Sequence, residues 1–123
     1  MLLQKAAQDE AVVAKLLADP DIDDETVGFH AQQAAEKLLK AWLAHLGVGF
    51  PKVHRLETLV ELLQTHERRL PDNLSDLGKL TPFATAFRYE DLPLDVPLDR
   101  TESLRLVRSL RAFVEAEIQK GPA

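Results

Sequence analysis

The 123-residue chain has no cysteine, one methionine, one tryptophan and one tyrosine. Missing thiols exclude disulfides, Cys-ligated zinc, iron–sulfur clusters and a cysteine nucleophile. No apolar run approaches the length that spans a bilayer, and the N-terminus has no signal-peptide pattern. Basic charge is also scarce. Fifteen Lys and Arg stand against 20 Asp and Glu, a net charge of −5 that argues against a large phosphate footprint. The deficit is uneven: residues 1–24 hold two lysines against six acids, residues 25–60 four basic residues against three acids. A small basic patch in the middle of the chain stays open. Together these absences predict a cytoplasmic protein.

What is present reads as ordinary globular material, 46% hydrophobic and 28% charged. The length suits a single domain, 1–123, large enough to bury a core. Apolar residues recur at helical spacing from Leu2 to Ala18, where Asp19-Pro20-Asp21 stops the run. Asp23, Asp24 and Glu25 then supply a cap and first-turn acids for a helix reaching about Leu46. Val27, Ala31, Ala34, Leu38, Trp42 and His45 share one arc of that helix, and Ala35, Leu39, Leu43 and Leu46 widen it. An arc this broad predicts a central helix with several neighbours, or one that also meets a second subunit. Gly47 is placed to end it in a left-handed conformation.

A third helix is predicted over about Val53 to Glu67, with Leu56, Leu59, Val60 and Leu63 on its apolar face. From Asn73 to Phe87, Gly78 and Pro82 interrupt the pattern; a short turn and a fourth helix from about Thr81 are expected. Pro93 and Pro97 mark an extended connection. Asp99 or Thr101 caps a last helix to about Gln119, burying Leu106, Val107, Leu110, Phe113, Val114 and Ile118. With no strand candidate, the fold class is all-α, a five-helix up-and-down bundle with a four-helix core plus a short or broken helix.

Chemistry-bearing patterns are few. No glutamate is followed three residues later by histidine, no two histidines are at i, i+4, and neither metal nor cofactor is expected. Gly47-Val48-Gly49 follows no strand and lacks a third glycine, which excludes the dinucleotide fingerprint. His45 lies on the apolar arc and reads as a packed residue with one nitrogen satisfied; His30 lies at the edge of that arc. His66 suits the negative end of a helix. His54, opening the third helix, can cap it, contact the second helix, or act in catalysis. Gln33, Glu36, Lys37 and Lys40 occupy the polar face of the second helix, where Gln33–Lys37 and Glu36–Lys40 pairs in solvent are the plain expectation. Arg105, Arg108 and Arg111 form a stripe on the last helix, partly offset by Glu115.

Phe29-His30-Ala31-Gln32-Gln33-Ala34-Ala35-Glu36-Lys37-Leu38-Leu39-Lys40-Ala41 resembles the signature helix of the HEPN (higher eukaryotes and prokaryotes nucleotide-binding) domain family. Pro51-Lys52-Val53-His54-Arg55-Leu56 resembles that family's Pro-Lys-x-His-x-Leu element, and Phe87-Arg88-Tyr89 its Arg-Tyr-Pro element, in the same order. The resemblance implies a helical bundle, usually a homodimer, of the small stand-alone type paired with a minimal nucleotidyltransferase in toxin–antitoxin-like modules. It also implies metal-independent ribonuclease activity where an arginine is followed four to six residues later by histidine. No arginine here has a histidine four to seven residues ahead, and Glu90 replaces the proline after Tyr89.

The leading expectation is therefore a non-catalytic protein that binds a nucleotide or RNA ligand, or a nucleotidyltransferase partner, through Gln33, Lys37, Lys40, His54, Arg88 and Tyr89. Arg88 or the lysines would hold phosphate and Tyr89 would stack on a base. One alternative is a ribonuclease with an atypical site, using His54 with Arg55 or Arg88 across a dimer. The other is a signature helix that serves only packing and dimerisation.

Overall fold

A computed structural model describes residues 1–84 and 97–121. In these residues four α-helices and one 3-10 helix make an all-α bundle without strands: α1 (Leu2–Lys15), α2 (Asp24–His45), α3 (Leu56–Thr65), the 3-10 helix (Asp72–Phe83) and α4 (Arg100–Gln119). Among them no helix is long and apolar enough to cross a membrane.

Helix α2 is the axis of the fold, touching every other element. Its start is set by Asp23, whose carboxylate accepts the Thr26 amide at 2.8 Å, with Asp24 and Glu25 in the first turn. Its end is set by Gly47 at φ 73°, where the Val48 amide returns to the Leu43 carbonyl at 3.0 Å. Between them the broad apolar arc is buried from Val27 to Leu43. Four neighbours from the same chain cover it, so its width is accounted for within one subunit. Trp42 meets Phe113 of α4 edge to face at 5.4 Å.

The stretch after α3 departs from expectation. Leu74, Leu77, Leu80 and Phe83 repeat every third residue, and all four are buried. A helix of three residues per turn puts such residues in one row, which is the row that packs. Thr81 and Pro82 accordingly close the 3-10 helix instead of opening a fourth α-helix. Phe87, Arg88, Tyr89 and Pro93 lie outside the described residues. The close packing depends on Gly28 of α2, where any Cβ would lie 2.4 Å from the Phe83 ring.

Two helices are also shorter than their apolar patterns. Helix α1 ends at Lys15, not Ala18, because Arg100 gathers the carbonyls of Leu16, Asp19 and Ile22 and the Asp24 carboxylate, organising residues 16–22 as a connector. Helix α3 runs only from Leu56 to Thr65; Val53 and His54 belong to the preceding loop. Asp99, not Thr101, caps α4, accepting the Glu102 amide at 3.0 Å.

Candidate functional site

The loop Leu46–Arg55 returns along α2 and is fastened there by a polar cluster. Gln32, fully buried, donates both amide hydrogens: one to the His54 carbonyl at 2.7 Å, the other to Glu36 Oε1 at 3.0 Å. Its own Oε1 accepts from Gln33 at 2.8 Å. Glu36, one turn on and only 6% exposed, also takes His54 Nδ1 at 2.9 Å and Lys40 Nζ at 3.0 Å. Lys40 in turn lies 5.6 Å from the centre of the Phe50 ring on the loop.

Burial alone would raise the Glu36 pKa, but donors from Gln32, His54 and Lys40 outweigh it and hold the carboxyl below its ordinary 4.5. An ionised carboxylate has no hydrogen to give, so the Nδ1–H bond to it comes from His54. The imidazole, 64% exposed, is left with Nε2 as the nitrogen able to exchange a proton or bind a ligand.

A second cluster sits across α2. Asp9 of α1 receives Lys37 Nζ at 2.5 Å and His30 Nδ1 at 2.9 Å. Beside it, Glu10 takes Arg111 of α4 through two bonds, 2.7 and 3.2 Å, with Arg108 at 3.5 Å. The Glu10 bonds raise the Arg111 pKa further above its ordinary range. The adjacent acids of α1 therefore tie α2 on one side and α4 on the other.

The sequence-predicted residues separate accordingly. Lys40 and His54 meet at Glu36, with Gln33 joined to them through Gln32; Lys37 belongs to the Asp9 cluster, and its expected pairing with Gln33 is not formed. Nor is the polar face of α2 a solvated one, since Gln32 and Glu36 are buried. The two lysines, although i, i+3, serve different carboxylates. His45, expected to pack with one of its two ring nitrogens satisfied, has a buried Nε2 without a hydrogen-bond partner among the described residues, which leaves Nδ1 as the nitrogen that expectation concerns. Arg88 and Tyr89 lie outside the described residues. Gln32, Asp9, Glu10 and Arg100 were missed. Only Gln32 and Glu36, four residues apart on one helix, had a local signal. Among the described residues no group of three His, Asp or Glu could hold a metal ion.

The geometry defines a helical-bundle protein in which one loop histidine is presented to solvent from a buried carboxylate. The HEPN domain model matches residues 1–120, and the chain belongs to the HEPN domain family. No curated protein and no solved structure matched it.

Proposed function

We propose that this is a non-catalytic HEPN-domain protein that binds a nucleotide, a small nucleotidyltransferase partner, or both, at the face where the Leu46–Arg55 loop lies on α2. The observation that carries this reading is the Glu36–His54 contact, which spends buried hydrogen bonds on holding an imidazole in solvent. Lys52, exposed and without an ion-pair partner among the described residues, lies two residues before it, and exposed Arg55 is the next residue along. These groups suit a phosphate or an acidic partner surface. Lys37 and Lys40 are neutralised by Asp9 and Glu36, so their part is to set the shape of the face. Roles for Arg88 and Tyr89, a homodimer, a toxin–antitoxin-like pairing and a cytoplasmic setting come from the resemblance and the composition.

The test is calorimetric titration of ATP and GTP, and co-purification with a co-expressed small nucleotidyltransferase. Wild type, Lys52→Ala, His54→Ala and Lys37→Ala are compared. Loss of binding in the first two variants, with Lys37→Ala retaining it, supports the reading. Negligible nucleotide binding together with no complex overturns it.

The same contact favours a second reading, a metal-independent ribonuclease. A carboxylate behind Nδ1 is the arrangement that prepares an imidazole for proton transfer, with Arg55 or Arg88 offsetting phosphate charge. Cleavage of single-stranded RNA in chelator, lost in His54→Ala, is the required result; intact RNA removes this reading.

A further inference from the structure

We propose that the groove between α3 and the 3-10 helix docks a basic, partly apolar segment of a partner polypeptide. The groove has a volume of about 520 Å³. Val60, Leu70 and Pro71, each partly exposed, give it an apolar wall over the buried Leu56, Leu74 and Leu77, and Glu57, Glu61 and Asp72 supply carboxylates. Among the described residues no Lys, Arg or His lines it.

This is the reverse of the interior clusters. Asp9, Glu10 and Glu36 each meet cations of their own chain. Glu61 and Asp72 are exposed and have no ion pair among the described residues. Glu57 is only partly engaged, accepting the Thr81 hydroxyl at 2.7 Å with Arg55 Nε at 3.6 Å. It lies against Gly78, where an added Cβ would come within 2.9 Å of Oε2; a bulkier residue there would push the carboxylate from the groove wall.

An apolar floor beside uncompensated carboxylates matches the amphipathic build of Lys and Arg. Their alkyl stems cover the accessible Val60 and Leu70 while the charged heads reach acids at the water boundary. A segment alternating such residues with leucine or valine meets both features at once, whereas a purely apolar one leaves the carboxylates without partners. The inference does not depend on ligand binding at His54.

The test uses labelled amphipathic helical peptides, one Leu/Lys and one Leu/Glu, monitored by fluorescence anisotropy. The full chain is compared with Glu61→Lys/Asp72→Lys and with Asp19→Lys/Asp21→Lys, which changes net charge equally at a different site. The Leu/Lys peptide is expected to saturate the wild type and to bind the groove variant roughly tenfold more weakly, with the control close to wild type. If the lysine variant fails to fold, Glu61→Gln/Asp72→Asn is compared with the charge-matched Asp19→Asn/Asp21→Asn. Equal loss in the control would reduce the effect to overall charge and overturn the proposal, as would equal binding of the Leu/Glu peptide. Sedimentation that finds a dimer abolished by the groove substitutions would instead make the occupant a second copy of this chain.

Discussion

Asp9 and Glu36 are built alike and used differently. Each is a largely buried carboxylate that holds one histidine through Nδ1 at 2.9 Å and one lysine at 3.0 Å or less. The histidine on Asp9 is His30, set on α2, part-buried and edge to face with Phe29. The histidine on Glu36 is His54, set on a loop, with most of its ring in water. In the first case both ends of the contact are on helices, so the cluster is a clamp between α1 and α2. In the second, the carboxylate and Gln32 hold a loop by its backbone and by the Nδ1 edge of an imidazole, and the Nε2 edge is free to meet a partner. The contrast separates a residue type from its use: what distinguishes the two histidines is the element that carries them.

The largest test of this contrast removes each carboxylate in turn. Glu36→Ala leaves Lys40, only 13% exposed, without a counter-charge and strips an acceptor from fully buried Gln32. Loss of one partner from such a site costs about 3 kcal/mol. Asp9→Ala leaves Lys37 and His30 without their acceptor, but at 24% and 29% accessible both can rehydrate, so a loss of about 1–2 kcal/mol is expected. Urea denaturation of both variants measures the difference. Equal losses would show that the Glu36 cluster is no more desolvated than the Asp9 clamp.

Acid should weaken the Glu36 side next. Its folded-state pKa lies below the ordinary 4.5, so the stability it contributes is fully present above 4.5 and is lost as pH falls through the folded value. Asp23, lowered chiefly by the Thr26 amide, has the same sign. Stability measured from pH 6 downward should therefore decline below about 4.5 in the wild type, and Glu36→Gln should flatten part of that decline. An unchanged slope in Glu36→Gln would remove Glu36 from the acid response.

Much of the frame was legible because it obeys local periodicity. The 3.6-residue pattern and the Asp23 cap placed α2, and Asp99 placed α4. The exact three-residue spacing of Leu74, Leu77, Leu80 and Phe83 was visible too, although Gly78 and Pro82 suggested interruption; both fit inside a 3-10 helix. The clusters were less legible, for a physical reason. Asp9 meets residues 21 and 28 positions away, and Glu10 meets Arg111 at a separation of 101. No helical wheel brings such groups together; only packing does. For the same reason Lys37 looked solvated, its partner lying on α1, whereas Lys40 forms the i, i+4 pair with Glu36 that was expected, on a carboxylate that packing buries.

The smallest effect on stability is also the most discriminating. His54→Ala removes one hydrogen bond from a mostly exposed ring, while its backbone carbonyl continues to accept from Gln32. A cost of about 0.5–1 kcal/mol is expected, and His30→Ala, which deletes the matching bond to Asp9, should cost a similar amount. The two variants should part on binding. If the loop histidine is there to be met by a ligand or partner, His54→Ala weakens that association and His30→Ala leaves it at the wild-type level. Paired melts and titrations of these variants decide the matter: equal losses of stability with equal losses of binding would make His54 a fastening like His30, because a group that acts only by holding its element in place affects binding only as far as it affects the fold.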